Sequence, residues 1–151
     1  MRSHLVLFTA LLLSSCSSSP VTESSPVPDP EVSTGAIPGC YAVQLGGTPA
    51  ADVYLPTLIE LSAEPAPLWV EPGHLLVREP GNVEPVAPLS WWAPGSGGTV
   101  QLVLGGGYTG YSFSLRHQQG RWRGTGTYFA DFGVEPMPAP LPLELSPRSC
   151  P

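Results

Sequence analysis

The sequence contains no lysine: all six of its cations are arginine, against twelve acidic residues. Charged residues make up only 12% of the chain, about half the usual share. With a formal charge of -6 and no basic stripe, it lacks the clustered cations that phosphate neutralisation requires, which argues against nucleic acid as a partner. Histidine is scarce, at three residues. None stands in a His-x-x-x-His or His-Glu-x-x-His spacing, so no metal or other cofactor is expected. Long helices are missing as well. From Gly39 onward, no window of ten or more residues shows a helical face free of Gly or Pro; the chain carries 17 Gly and 20 Pro, and proline removes a backbone donor while glycine costs backbone entropy. Long apolar runs are equally absent. The stretch from Leu5 to Leu13, broken by Thr9, is too short to span a bilayer, which takes about 20 apolar residues. A chain of 151 residues has room for one domain.

What is present begins with a layout of export. A short head carries Arg2, an apolar centre follows, and small residues precede a break, which is the pattern of a secretory signal. The terminal four residues of that stretch, Leu13-Ser14-Ser15-Cys16, resemble the lipobox of bacterial lipoproteins. The resemblance implies that 1–15 is a cleaved signal peptide. It also implies that the Cys16 thiol carries a diacylglyceryl group and that the new N-terminal amine is acylated in turn. Two or three acyl chains anchor stably where one is marginal. Ser17, rather than Asp, follows the cysteine; in lipoproteins of double-membraned bacteria this favours the outer membrane. The expected location is therefore the cell envelope, lipid-anchored, with the membrane as one partner.

Residues 17–38, "SSSPVTESSPVPDPEVSTGAIP", contain no aromatic and repeat Ser-Pro, Val-Pro and Asp-Pro steps. Such a composition buries too little surface to offset its ordering entropy, so 16–38 is expected to be a tether behind the lipidated cysteine. Composition shifts at "PGCYAVQLGG", and the domain is placed at 39–151. With Cys16 assigned to lipid, Cys40 and Cys150 remain as a pair bracketing the domain. In an oxidising compartment a disulfide is the simplest use of them. Two free or intermolecular thiols are the alternative.

From Gly39 onward apolar residues recur with period two. Tyr41, Val43 and Leu45 share a face, as do Ile59 and Leu61, then Val100, Leu102 and Leu104. In "GYSFSLRHQ", Tyr111, Phe113 and Leu115 alternate with Ser112, Ser114 and Arg116. "RWRGTGTYFAD" follows, with Gly120 in the turn of a hairpin. Its Gly124 and Gly126, on the Trp122 face, suggest a strongly bent strand crossed by a large ring. "LPLEL" aligns Leu141, Leu143 and Leu145. "LWVE", "HLLVRE" and "LSWWAP" read as shorter strands. Pro65, Pro67, Pro72, Pro80, Pro85, Pro88 and Pro94 confine the middle of the chain to edges and loops. The expected fold is all-β, a single antiparallel barrel or sandwich of about seven to nine short strands.

Chemistry is harder to find. No serine sits in a Gly-x-Ser-x-Gly elbow. "GGGYTG" lacks the lysine and helix of a phosphate loop and reads as a turn. Glu60, Glu71, Glu79 and Glu84 read as a solvated face. Two features remain. Arg116, His117, Arg121 and Arg123 gather at the Gly120 turn, an anion or partner contact or else a solubilising tip. Trp91 and Trp92 are adjacent, so on a strand they face opposite sides. One enters the core; the other meets solvent, a covering loop or a ligand, and an exposed Trp suits carbohydrate stacking or a membrane surface.

"CYAVQLG", "WW", "GYTGYSFSLR" and "GRWRGTG" before a closing Cys resemble small uncharacterised β-rich bacterial lipoproteins. Tyr41 in Gly39-Cys40-Tyr41, with the late Arg148, is similar to lipocalin-type barrels, in which such an aromatic packs under an arginine. Their usual Gly-x-Trp is absent here. The expected function is a lipid-anchored, non-enzymatic envelope module with a structural or binding role, contacting an envelope protein or polysaccharide. A lipocalin-like carrier of a small apolar ligand is the alternative.

Overall fold

Strands with alternating polarity have one oily face, and the sheet they form must bury it. A computed structural model, describing residues 37–133 and 136–151, shows the means. Eight strands follow in order: β1 (Gly39–Leu45), β2 (Leu58–Pro65), β3 (Leu75–Arg78), β4 (Trp91–Pro94), β5 (Thr99–Gly105), β6 (Thr109–Gln118), β7 (Arg121–Ala130) and β8 (Leu141–Arg148). Each runs antiparallel to its sequence neighbours, and β8 returns to pair with β1, so the sheet is a closed barrel. Of barrel and sandwich, the chain takes the barrel. The only helical element among the described residues is a 3-10 turn, Ser96–Gly98.

The period-two residues turn inward as their spacing implies. Tyr111, Phe113 and Leu115 of β6 are fully buried, while Ser112, Ser114 and Arg116 are exposed. Val100, Leu102 and Leu104 of β5 and Leu141, Leu143 and Leu145 of β8 complete neighbouring walls. Phe113 stands opposite Gly126 in the β6–β7 register. A Cβ on that glycine would lie 2.4 Å from the Phe113 ring. The ring expected to cross the glycine-bearing strand is therefore Phe113, which is fully buried in the core. Tyr111 stacks on Phe113 and meets Tyr128 edge-on, with centroids 5.8 and 5.5 Å apart, within the favourable range for aromatic pairs.

The ends differ. At one, the β1–β2 connection folds over the barrel mouth. The Ala50 amide donates to the Tyr111 hydroxyl at 3.0 Å, the Tyr128 hydroxyl donates to Asp52 at 2.8 Å, and Val53 is buried in the core. At the other end Ile37 is buried and its carbonyl accepts the Tyr41 hydroxyl at 2.7 Å. The packed unit thus reaches two residues upstream of the boundary drawn at Gly39. The Cys40–Cys150 disulfide forms there, across a sequence separation of 110. The β6–β7 hairpin turns at Gln119 and Gly120, both with positive φ (51° and 77°), as a two-residue turn matched to strand twist demands.

One expected strand is absent. "LWVE" is a turn, with the Val70 amide bonded to the Pro67 carbonyl at 2.9 Å. Pro67 and Pro72 flank the segment and deny it a continuous ladder. Proline also sets the length of β2 and β4, which end on Pro65 and Pro94.

Gly126→Ala is expected to cost about 1–3 kcal/mol by overpacking, and Phe113→Leu in the same chain should recover part of it. Chemical denaturation of the single and double variants measures both. Reduction of Cys40–Cys150 is expected to lower stability by about 2–5 kcal/mol; equal midpoints with and without reductant would refute this.

Candidate functional site

Trp91 and Trp92 divide as adjacent strand residues must. Trp92 enters the core with no exposed surface, and its indole N–H donates to the Ser62 carbonyl at 2.9 Å. It is therefore not an exposed aromatic. Trp91 faces outward and is half-buried. Across the register it adjoins Leu76 of β3 and Val103 of β5. Both are buried although they point away from the interior. The outer wall of β3–β4–β5 thus carries an apolar stripe in place of the polar face seen on β6.

The long β2–β3 loop lies against this stripe. Its base is closed by the Ala66 amide on the His74 carbonyl at 2.9 Å. The His74 ring packs on Trp91 with centroids 3.7 Å apart and planes inclined by 32°. Its Nδ1 lies 3.0 Å from the Glu71 carbonyl. A carbonyl only accepts, so Nδ1 carries the proton and Nε2 is left as the second polar atom of the ring. Trp69, on the same loop, donates its indole N–H to the Pro88 carbonyl at 2.8 Å while 66% of its surface stays exposed. Trp69, Val70, Glu71, His74, Leu89 and Trp91 line a cleft of about 330 Å³. Among the described residues, Glu71 is the only carboxylate in that lining, and no arginine belongs to it.

The arginine cluster is largely committed elsewhere. Arg116 pairs with Arg123 across β6–β7, and Arg123 with Glu144 across β7–β8. Arg123 Nε donates to Glu144 at 2.7 Å, and Arg121 reaches the other oxygen of the same carboxylate. Arg123, then Arg121, hold the Glu144 carboxyl below its ordinary value. Arg116 and His117 remain exposed, with the His117 ring 5.2 Å from Trp122. Of the four, two clip strands together and two face solvent. Glu60, expected on a solvated face, is likewise paired: Arg78 bonds it through two nitrogens, at 2.8 and 3.0 Å, and lowers its pKa.

Tyr41 is buried, and that burial raises its hydroxyl pKa. The arginine implied by the lipocalin resemblance does not cover it. Arg148 stands opposite Cys40, on the outward side of β1, and is exposed. Cys16 lies outside the described residues. Trp69 and His74 were the residues hidden from sequence reading. The available signal was a tryptophan between Pro67 and Pro72, which points to a presented loop aromatic instead of a strand residue. No protein-family model, curated protein or solved structure matches the chain.

The carboxylates of Glu144, Glu60 and Asp52 all have lowered pKa values, through Arg123, Arg78 and Tyr128 respectively. A lowered folded-state value adds stability above the unfolded value, about 4.3 for Glu, and loses it as pH falls through the folded value. Stability should therefore drop in acid below about pH 4.3. Glu144→Gln should be destabilising at pH 7 and approach the parent as pH falls, which denaturation midpoints across pH 2–7 would record.

Proposed function

We propose that this chain is a lipid-anchored protein of the bacterial cell envelope, held through Cys16, that binds its partner on the outside of the barrel and catalyses no reaction. The observation that carries the binding mode is the division of apolar surface. The inner wall is spent on packing, while the outer wall of β3–β4–β5 presents Trp69, His74 and Trp91 around an open cleft.

Two further points support it. Perturbed titratable groups mark candidate catalytic sites, yet here they serve as links between elements. Glu60 pairs with Arg78, Glu144 with Arg121 and Arg123, Asp52 with Tyr128, and Tyr54 with Glu79. The anchor rests on the sequence Leu13-Ser14-Ser15-Cys16.

A lipocalin-like carrier is the second reading, favoured by the closed eight-stranded antiparallel barrel. Tyr41, Phe113, Trp122 and Leu143 would line its cavity, and all four belong to the packed core with 5% exposure or less. Internal cargo would have to displace Phe113 from Gly126, at a cost in stability.

Two measurements test these readings. Cys16→Ser should abolish metabolic acyl-chain labelling and release the protein from membranes; retained labelling would refute the anchor. A long-chain fatty acid should leave the emission of the buried Trp92 and Trp122 unchanged, whereas a saturable shift would favour the carrier.

A further inference from the structure

Building on outer-face binding, we propose that the Trp69–His74–Trp91 cleft is a carbohydrate site for an uncharged glycan, acetamido sugars included. A pyranose ring has an apolar C–H face and a rim of hydroxyls. It therefore needs an aromatic plane with acceptors and donors at its edge. The cleft offers both. Trp69 gives an exposed plane, and its N–H is already used on Pro88, so the ring is fixed before anything binds. Holding a side chain ready in this way avoids the ordering cost of association. Glu71 is exposed and accepts hydroxyl hydrogen bonds. His74, packed on Trp91 with Nδ1 turned to the Glu71 carbonyl, has Nε2 for another. The cleft volume, about 330 Å³, falls at the small end of ligand pockets.

Charge narrows the class. Among the described residues, Glu71 is the only charged side chain in the lining, with no arginine to balance it. A uronic-acid polymer or a lipid phosphate would meet a like charge there. Arg116 and Arg148, exposed and without an ion pair among the described residues, sit on other strands, β6 and β8.

The test titrates the full-length protein, in detergent, with a hexamer of N-acetylglucosamine by isothermal titration calorimetry. Polygalacturonate and a fatty acid serve as comparison ligands. Saturable binding of the hexamer alone is expected. Trp69→Ala should weaken it about tenfold or more, the equivalent of one lost stacking contact. Trp69→Phe should retain most of it. His74→Phe, which keeps a ring on Trp91, should weaken it through loss of Nε2. Tyr108→Ala, at an exposed aromatic on the β5–β6 turn, should change nothing. Trp69→Ala should also leave the unfolding midpoint unmoved, because the ring is mostly solvated. No saturable hexamer response, or an unchanged one in Trp69→Ala, overturns the carbohydrate assignment. If polygalacturonate or the fatty acid binds instead, and Trp69→Ala abolishes that binding, the sugar class fails while outer-face recognition stands. Silence at Trp69 towards all three ligands overturns both.

Discussion

Six consecutive residue pairs between β8 and β1, from Cys40–Arg148 to Leu45–Leu143, turn a meandering sheet into a barrel. Closure removes both edges, so no strand is left with a row of unpaired backbone groups to template aggregation. It also fixes how much room lies inside. Eight strands enclose a space that side chains can just fill or that can hold one small ligand. This sequence fills it, and the Phe113–Gly126 pairing is the clearest case. β7 gives up its side chain at one position so that a ring from the neighbouring strand can lie over it.

With the inside filled, open apolar surface is left on the outer wall. A barrel wall normally alternates cleanly, and β6 does. β3, β4 and β5 depart from that rule, because Leu76, Trp91 and Val103 put apolar groups on the outer surface. Burying them calls for a second cover, which the proline-rich loops provide. A cover made of loops is less complete than one made of strands, and the cleft beside Trp91 is the remainder. The site and the irregular middle of the chain thus have one cause.

This explains what could be read in advance. Period-two patterning depends on local geometry, so β1, β5, β6, β7 and β8, the Gly120 turn and the inward set of residues were all legible. So was the division of Trp91 from Trp92, though the pattern could not say which of them faced in. The cleft was not legible because it depends on long-range placement. His74 looked solitary, and only the closing of the β2–β3 loop puts it on Trp91. "LWVE" looked like a strand because its residues suit one; the flanking prolines outweighed that preference. The arginines showed the same limit. Arg121 and Arg123 looked like a charged tip until β8 delivered Glu144 from more than twenty residues away.

The Cys40–Cys150 bond has a mechanical meaning as well. The chain from the N-terminus enters at Ile37 and Cys40, so tension on it is felt first by β1. In an open chain that strand would be peeled from the barrel one hydrogen bond at a time. Here the load passes at Cys40 into the segment just after β8 too, so β1 cannot leave the barrel alone while the bond is intact. The 110-residue span between the cysteines becomes a loop without a free end, which a pull at Cys40 cannot unravel while the bond is intact.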